Sequence, residues 1–125
     1  MVNFQIKSKI IHPVLSDKEI GFEIAKHLRA RNAQNSFVEI EIVGSAFMKK
    51  LNSRFMKKNY PTDVLSFPLD EIPGETSFQG KHIGTIILCN DIIKSNAKKN
   101  ARLEREEFAF VLRHGLDHLL GIHHN

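Results

Sequence analysis

The sequence is poor in cysteine, in tryptophan and in long apolar runs. Cys89 is the only cysteine, which excludes an internal disulfide framework and a metal site built mainly from thiolates. No apolar run approaches the ~20 residues that a membrane-spanning helix needs. The amino-terminal MVNFQIKSKI also lacks the apolar core of a signal peptide. We therefore expect a soluble cytoplasmic protein that does not act in a membrane.

The charge balance permits a polyanionic partner without requiring one. The 125 residues include 18 basic and 14 acidic side chains, for a net charge of +4. Many ordinary proteins carry such a charge. Tryptophan is absent and Tyr60 is the only tyrosine, so the sequence does not predict a broad aromatic platform for stacking bases. The length suits one domain over residues 1–125 and does not fix an oligomeric state.

Strand and helix patterns alternate along the chain. Alternating apolar residues predict strands over 2–6 and 37–43, and a short strand over 64–67 ends before Pro68. The nearly continuous apolar run 83–89 predicts a strand buried on both faces, with Cys89 as a small apolar filler.

Helices are predicted between these strands. Ser16 and Glu19 form a capping-box pattern ahead of a helix over 17–31. A second helix opens at Gly44-Ser45, has Phe47, Leu51 and Phe55 on its apolar face, and is ended by Asn59 and Pro61. Glycine and proline make 69–80 a loop, and two more helices cover about 90–99 and 101–120. The prediction is an α+β layered domain with a mixed sheet of about four strands and about four helices.

Histidines cluster at the end of the chain. His114 and His118 are four residues apart, so a helix places them on one face, one turn apart. Gly121 suits a left-handed helix end that lets the chain turn back, so that His124 can approach as a third ligand. His123 is the alternative third ligand. Three imidazoles and one open position for water are typical of a catalytic zinc site, and we predict one zinc ion there.

Two motifs carry a resemblance to a known family. The stretch 114–124 (HGLDHLLGIHH) resembles the zinc motif of the YbeY family of endoribonucleases, and 61–68 (PTDVLSFP) resembles its second signature. Leu51-Asn52 and Ile83-Gly84 also match. The resemblance runs from about residue 37 to the end of the chain. It implies a metal-dependent, single-strand-selective endoribonuclease in ribosomal RNA maturation and ribosome quality control, with a fold related in layout to zinc metalloproteases.

The resemblance also suggests residues around the metal. Met56 stands where the family usually has an arginine for catalysis or RNA contact. Arg54, Lys57 and Lys58 are the candidates to take over RNA binding, and Arg54 also the catalytic role. Ser66 is the other catalytic candidate, as a contact to the substrate or to the metal-bound water, with a backbone-bonded strand serine as the alternative. The expected partners are single-stranded or ribosomal RNA, with ribosomal proteins as further candidates.

Other functions stay open at this stage. A peptidase of the HExxH type needs a glutamate base after the first histidine, and Gly115 occupies that position. A non-catalytic RNA-binding module with a structural metal is the second alternative. Asp117 either orients a ligand histidine from outside the coordination sphere or faces solvent.

Overall fold

The structure is a computed structural model that describes residues 3–69 and 81–122. In chain order the elements are β1 (Phe4–Ser8), α1 (Asp17–Ala30), β2 (Ser36–Val43), α2 (Ser45–Met56), β3 (Val64–Pro68), β4 (Lys81–Cys89), α3 (Asn90–Lys99) and α4 (Glu104–Leu119). The predicted number and order of elements are confirmed within this part of the chain. The loop predicted over 69–80 falls, from residue 70 onward, outside the described residues.

The four strands form one mixed sheet in the order β1-β2-β4-β3. Strands β1, β2 and β4 run parallel, and β3 pairs with β4 in the antiparallel direction. The predicted α+β class is therefore confirmed. The central strands β2 and β4 are rich in isoleucine and valine, which suit a pleated surface covered on both sides.

Gly84 allows β3 and β4 to approach closely. The register between β2 and β4 shifts by one residue, from Phe37 opposite His82 to Val38 opposite Gly84. Gly84 has a φ of +144°, and a Cβ there would lie 2.3 Å from the carbonyl oxygen of Phe67. Only glycine fits this position without displacing the backbone of β3.

Each face of the sheet has its own apolar core. The larger cluster joins inward residues of α1, α3 and α4 to one face, among them Ile24, Ile86 and Phe108. The smaller cluster joins α2 to the other face through Met48, Leu65 and Ile87. Neighbouring residues of a strand point to opposite faces, so Leu65 faces α2 and Ser66 faces α4.

The ends of the elements differ in part from the sequence prediction. The capping box at Ser16 and Glu19 is confirmed and starts α1 at Asp17. Helix α2 ends at Met56, before the predicted stop at Asn59 and Pro61, because Lys57 adopts the left-handed conformation with φ 57°. Pro68 is the last paired residue of β3 rather than its stop, and α4 begins at Glu104 rather than near residue 101.

The predicted apolar face of α2 is confirmed for Leu51, which packs against the smaller core cluster, and wrong for Phe47 and Phe55. Phe55 is 55% exposed and Phe47 is also exposed, whereas Met48 and Asn52 are the buried residues of this helix. The Asn52 side-chain amide donates to the carbonyl of Tyr60, 2.8 Å away, so a polar residue occupies the inward position. The inward face of α2 therefore runs through Met48, Leu51 and Asn52. In the described ranges 3–69 and 81–122, no helix has the length and apolar composition to cross a membrane.

Candidate metal centre and its surroundings

His114 and His118 lie on one exposed stripe of α4, as their spacing predicts. The helix buries Phe108, Leu112 and Leu116 along its opposite side, and this leaves the two imidazoles accessible. Two imidazoles one turn apart on a well-packed helix can approach the same ion. The pair is the part of the predicted metal site that the described residues contain.

Gly115, between the two histidines, brings α4 close to the sheet. It is buried, and a Cβ there would lie 3.1 Å from Cγ2 of Ile86 on β4. Glycine therefore has a packing role at this position. Gly115 supplies no carboxylate, so the glutamate base of an HExxH peptidase is absent at this position.

Helix α4 ends in the turn that the sequence predicts at Gly121. This glycine has a φ of +79°, its N–H donates to the carbonyl of His118 over 3.1 Å, and the N–H of Ile122 donates to that of Asp117 over 2.8 Å. These two bonds define a Schellman motif, which redirects the chain just after the histidine pair. His123 and His124 lie outside the described residues, so the ligand role of His124 stays a prediction.

The available donors fit a metal site that is completed from outside this part of the chain. Among residues 3–69 and 81–122, no group of three histidine, cysteine or carboxylate side chains is arranged to hold an ion. A site with three protein ligands therefore needs a donor beyond the exposed pair of His114 and His118. The terminal histidines are the candidates that the sequence offers.

Ser66 contacts the second histidine of the pair. Its hydroxyl, on β3, is hydrogen-bonded to Nδ1 of His118 and donates when that nitrogen carries no proton. Antiparallel pairing sets Ser66 opposite Ile86, the residue beneath Gly115. The expected alternative, a serine bonded only to backbone, is wrong, because the hydroxyl reaches an imidazole 52 residues away in sequence.

Asp117 attaches α4 to α1, and of its two expected alternatives the solvent-facing one is wrong. It is 3% exposed. Its Oδ1 accepts from Nε2 of His27 at 2.7 Å and from Nε of Arg31 at 2.9 Å, and its Oδ2 accepts from Arg31 at 2.8 Å. The carboxylate raises the pKa of Arg31 through these hydrogen bonds and its charge. Sequence analysis missed His27 and Arg31, because nothing local signals a partner about 90 residues away.

The basic candidates lie on a different side of the molecule. Arg54, Lys57 and Lys58 are exposed at the end of α2, with the Arg54 guanidinium 5.7 Å from the Phe55 ring centre. Helices α2 and α4 cover opposite faces of the sheet, so Arg54 lies on the helix across the sheet from the histidine pair, whereas Ser66 on β3 reaches His118. The segment between residues 44 and 62 contains five basic and no acidic side chains.

The fold itself is shared with a solved structure. The class defined so far is an α+β domain with a four-stranded mixed sheet and a pair of exposed histidines on its last helix. The solution structure of TM1509 from Thermotoga maritima superposes with a TM-score of 0.66 over 98% of this chain and 75% of that chain, at 24% sequence identity. This likeness concerns the fold.

The family is defined by sequence. The family model for endoribonuclease YbeY matches residues 5–125, and the chain belongs to this family. It is 35% identical to the endoribonuclease YbeY of Sulfurovum over 76% of this chain and 65% of the relative. It is 34% identical to that of Persephonella marina over 86% of this chain and 67% of the relative. The chain thus spans about two thirds of the length of these relatives.

Proposed function

We propose that this protein is a metal-dependent endoribonuclease that cuts single-stranded RNA in the cytoplasm. The observation that carries the proposal is the exposed pair of His114 and His118 on α4, followed at once by the turn at Gly121. Membership of the endoribonuclease YbeY family supports RNA as the substrate. We also propose that the protein acts in ribosomal RNA maturation and ribosome quality control. Its partners there would be ribosomal RNA and ribosomal proteins.

The proposed cofactor is one zinc ion held by His114, His118 and His124. The donor set suits zinc, because imidazole nitrogens are common ligands of this ion and three of them leave one position open. Zinc supplies a Lewis acid for a phosphoryl oxygen and lowers the pKa of bound water to ~7. The protein's own part is to hold the imidazoles on a rigid helix, which Gly115 seats tightly against β4.

Ser66 is proposed to act through His118 as a positioning residue. Metal-binding histidines usually have their second ring nitrogen fixed by a hydrogen bond, which sets the tautomer and the ring orientation. The Ser66 hydroxyl engages Nδ1 of His118, which is compatible with metal binding through Nε2.

The role of Ser66 predicts a change in metal affinity rather than in fold. Ser66→Ala should weaken zinc affinity roughly 10-fold, as is usual when such a partner of a ligand is removed. Ser66→Thr should restore most of the affinity, because it keeps a hydroxyl. The measurement is competition for zinc with a coloured chelator, alongside circular dichroism. Equal affinities for the alanine variant and the unaltered protein would remove Ser66 from the site.

Substrate binding is proposed to use Arg54, Lys57 and Lys58 at the end of α2. All three are exposed, and no carboxylate of α2 competes for them. Flexible cations of this kind bind phosphates without reading sequence, which suits a nuclease selective for single strands. Arg54 also remains the candidate for a catalytic cation, and that role requires the RNA to pass from α2 round the edge strand β3 toward the histidine pair.

The deciding experiment combines metal analysis with cleavage. Elemental analysis of the purified full chain should find about one zinc per chain, and a labelled single-stranded RNA should be cut only without chelator. His114→Ala and His118→Ala should abolish cutting while far-UV circular dichroism stays close to that of the unaltered protein. His12→Ala removes an exposed histidine far along the chain from these residues and is the matched control.

The other outcomes separate the alternatives. Folded histidine variants that still cut RNA would assign the activity to other residues. Variants that unfold would favour a structural metal in a non-catalytic RNA-binding module. Zinc-dependent cutting of a peptide but not of RNA would favour a peptidase, although Gly115 supplies no glutamate base.

A further inference from the structure

An exposed aromatic side chain lies one turn before the histidine pair. Phe110 on α4 is 48% exposed and belongs to neither core cluster. Its ring stacks beside the His114 imidazole, with 6.4 Å between ring centres and 22° between planes. A single exposed phenylalanine is ordinary on a protein surface, so its neighbours decide what it can do.

The Arg102 guanidinium lies over part of the Phe110 ring, and about half of the Phe110 side chain stays exposed. The Cζ of Arg102 lies 4.9 Å from the ring centre, and the arginine side chain is about half exposed. The backbone of Arg102 is fixed by the end of α3, where Ala101 has a φ of 52° and the N–H of Arg102 donates to the carbonyl of Ala97 over 2.9 Å. The position of this arginine is therefore set by a helix end rather than by a loose loop.

A buried carboxylate holds the guanidinium in place. Glu107 is 4% exposed, and its Oε1 lies 3.6 Å from Nη1 of Arg102. Within residues 3–69 and 81–122 this oxygen accepts no hydrogen bond. A buried carboxylate is costly without a nearby cation, so Glu107 keeps Arg102 beside the ring of Phe110. The arrangement is pre-organised, with half of the arginine still open to a ligand.

We propose that Arg102 and Phe110 form a subsite for one nucleotide of single-stranded RNA, next to the nucleotide at the histidine pair. The phenyl ring and the planar guanidinium provide stacking surfaces for a base, and the arginine charge attracts the adjoining phosphate. Four residues, or about 6 Å along the axis of α4, separate Phe110 from His114, so a neighbouring nucleotide can reach the ring. This inference rests on the proposed function and adds a binding site to it.

The charges around the subsite favour RNA over a peptide. Lys98 and Lys99 are exposed at the end of α3, next to Arg102. Glu104 and Glu106 are exposed in the first turn of α4, where their charges repel phosphate groups. The RNA strand is therefore expected to run from Arg102 toward the α4 histidines and away from that turn. An acidic peptide could use the cation, but it has no planar base to stack on the ring.

The test compares a base-bearing with a base-free probe. Fluorescence anisotropy measures binding of the full chain to a labelled single-stranded oligoribonucleotide and to the same oligonucleotide with abasic sites. A metal chelator is present so that the RNA is not cut. Phe110→Ala should weaken binding of the intact probe roughly 10-fold, the size expected for loss of one base–aromatic stack, and leave the abasic probe nearly unchanged. Phe110→Trp should keep the affinity. Phe22→Ala, which removes an exposed phenylalanine of α1, is the matched control.

Arg102 is tested by a variant that preserves the partner of Glu107. Arg102→Lys keeps a cation beside the buried carboxylate and removes the planar stacking surface. It should therefore lower the affinity for the intact probe more than the affinity for the abasic probe. Arg102→Ala can lower stability because Glu107 loses its cation, and circular dichroism monitors that effect. Selective loss of intact-probe binding in the lysine variant would support the subsite even where the alanine variant unfolds.

The outcomes distinguish the subsite from the proposed function. Unaltered affinity of Phe110→Ala for the intact probe, in a protein that binds and cuts RNA, would overturn the subsite alone. Equal weakening for intact and abasic probes would also overturn it, because base stacking would then have no part. A chain that neither binds nor cuts RNA would overturn both. If an acidic peptide displaces the RNA and binds the Phe110→Ala variant less tightly than the unaltered protein, the surface is a peptide site instead.

Discussion

Helices α4 and α2 present their candidate functional residues in opposite ways. Helix α4 is packed against α1, α3 and the sheet, and it places His114 and His118 on the narrow stripe that stays exposed. Helix α2 buries only Met48 and Asn52, and it leaves Phe55, Arg54 and its lysines in solvent. Helix α4 therefore holds a few functional side chains in place, whereas α2 leaves many side chains exposed.

This difference matches what the two proposed tasks need. Metal ligands must be held within about 0.5 Å of their working geometry, which requires a helix with little freedom. Contacts to phosphates need charge and reach, and tolerate a mobile side chain. The comparison therefore predicts that changes to the buried residues and histidines of α4 affect stability and the metal, whereas changes to the exposed residues of α2 affect mainly RNA binding.

The largest expected effect is the loss of stability when a phenylalanine of α4 is replaced by alanine, compared with the same replacement in α2. Phe108→Ala on α4 removes a side chain with 0% exposure and should lower the free energy of unfolding by about 4 kcal/mol. Phe55→Ala on α2 removes a mostly exposed side chain and should cost under about 1 kcal/mol. Urea denaturation measures both. Similar losses would mean that α2 is as well packed as α4.

The next effect concerns the anchor between α4 and α1. Asp117→Asn keeps the shape of the buried side chain but removes its charge from Arg31 and His27, and we expect a loss of about 2 kcal/mol. The figure is below that of a fully buried pair because Arg31 is partly exposed. A double-mutant cycle with Arg31→Ala should give a coupling energy of similar size.

A second α1–α4 pair provides the control for this anchor. Arg113 and Glu23 are 3.1 Å apart and more exposed, so Glu23→Gln should cost under about 1 kcal/mol. If the two pairs contribute equally, burial of Asp117 adds nothing to the attachment of α4, and the contrast with α2 weakens.

The third effect belongs to α2 and should leave stability nearly unchanged. Replacement of Arg54, Lys57 and Lys58 together by alanine should weaken binding of single-stranded RNA roughly 10-fold. It should also reduce the dependence of log affinity on log salt by about 2, since each single-strand phosphate contact contributes ~0.7. Filter binding at several salt concentrations measures both. The control removes the same charge from exposed residues of α1: Lys18, Lys26 and Arg29. An unchanged salt slope in the α2 variant would exclude this surface from RNA binding.

The smallest effect is a pH dependence at the start of α1. Glu19 accepts hydrogen bonds from Arg105 of α4 and from Ser16, which lower its pKa from 4.5 to about 2. A carboxylate with a lowered pKa in the folded state stabilises that state fully above its unfolded pKa, and this stabilisation is lost as pH falls from about 4.5 to about 2. Glu19→Gln should therefore be less stable than the unaltered protein at neutral pH, and the difference should shrink at about pH 2.5.

Urea midpoints at the two pH values test this dependence, with Glu106→Gln as the control at an exposed glutamate. A difference of constant size across the range would mean that Glu19 does not titrate against Arg105. Helix α2 has no acidic residue that could form such a link, so the contrast between the helices should be strongest near neutral pH.

Local patterns explain most of the correct predictions. The capping box at Ser16, the apolar run of β4 and the glycine at 121 each act through residues within a few positions, so the sequence alone carries the signal. The prediction for α2 is wrong at Phe47 and Phe55, because these residues and Leu51 have a helical spacing as regular as that of Met48 and its neighbours. Which stripe faces inward depends on the sheet, where Leu65 and Ile87 receive Met48.

The sequence by itself determined the order of strands and helices, the four-residue spacing of His114 and His118, and the helix end after them. These follow from periodicity and from the backbone preferences of single residues. Only the tertiary structure decided that Asp117 is buried against Arg31, that Ser66 meets His118, and that Glu107 and Arg102 accompany Phe110. The first two join residues 86 and 52 positions apart, and the third depends on how α3 ends against α4. Such contacts depend on chain packing, which no local pattern encodes.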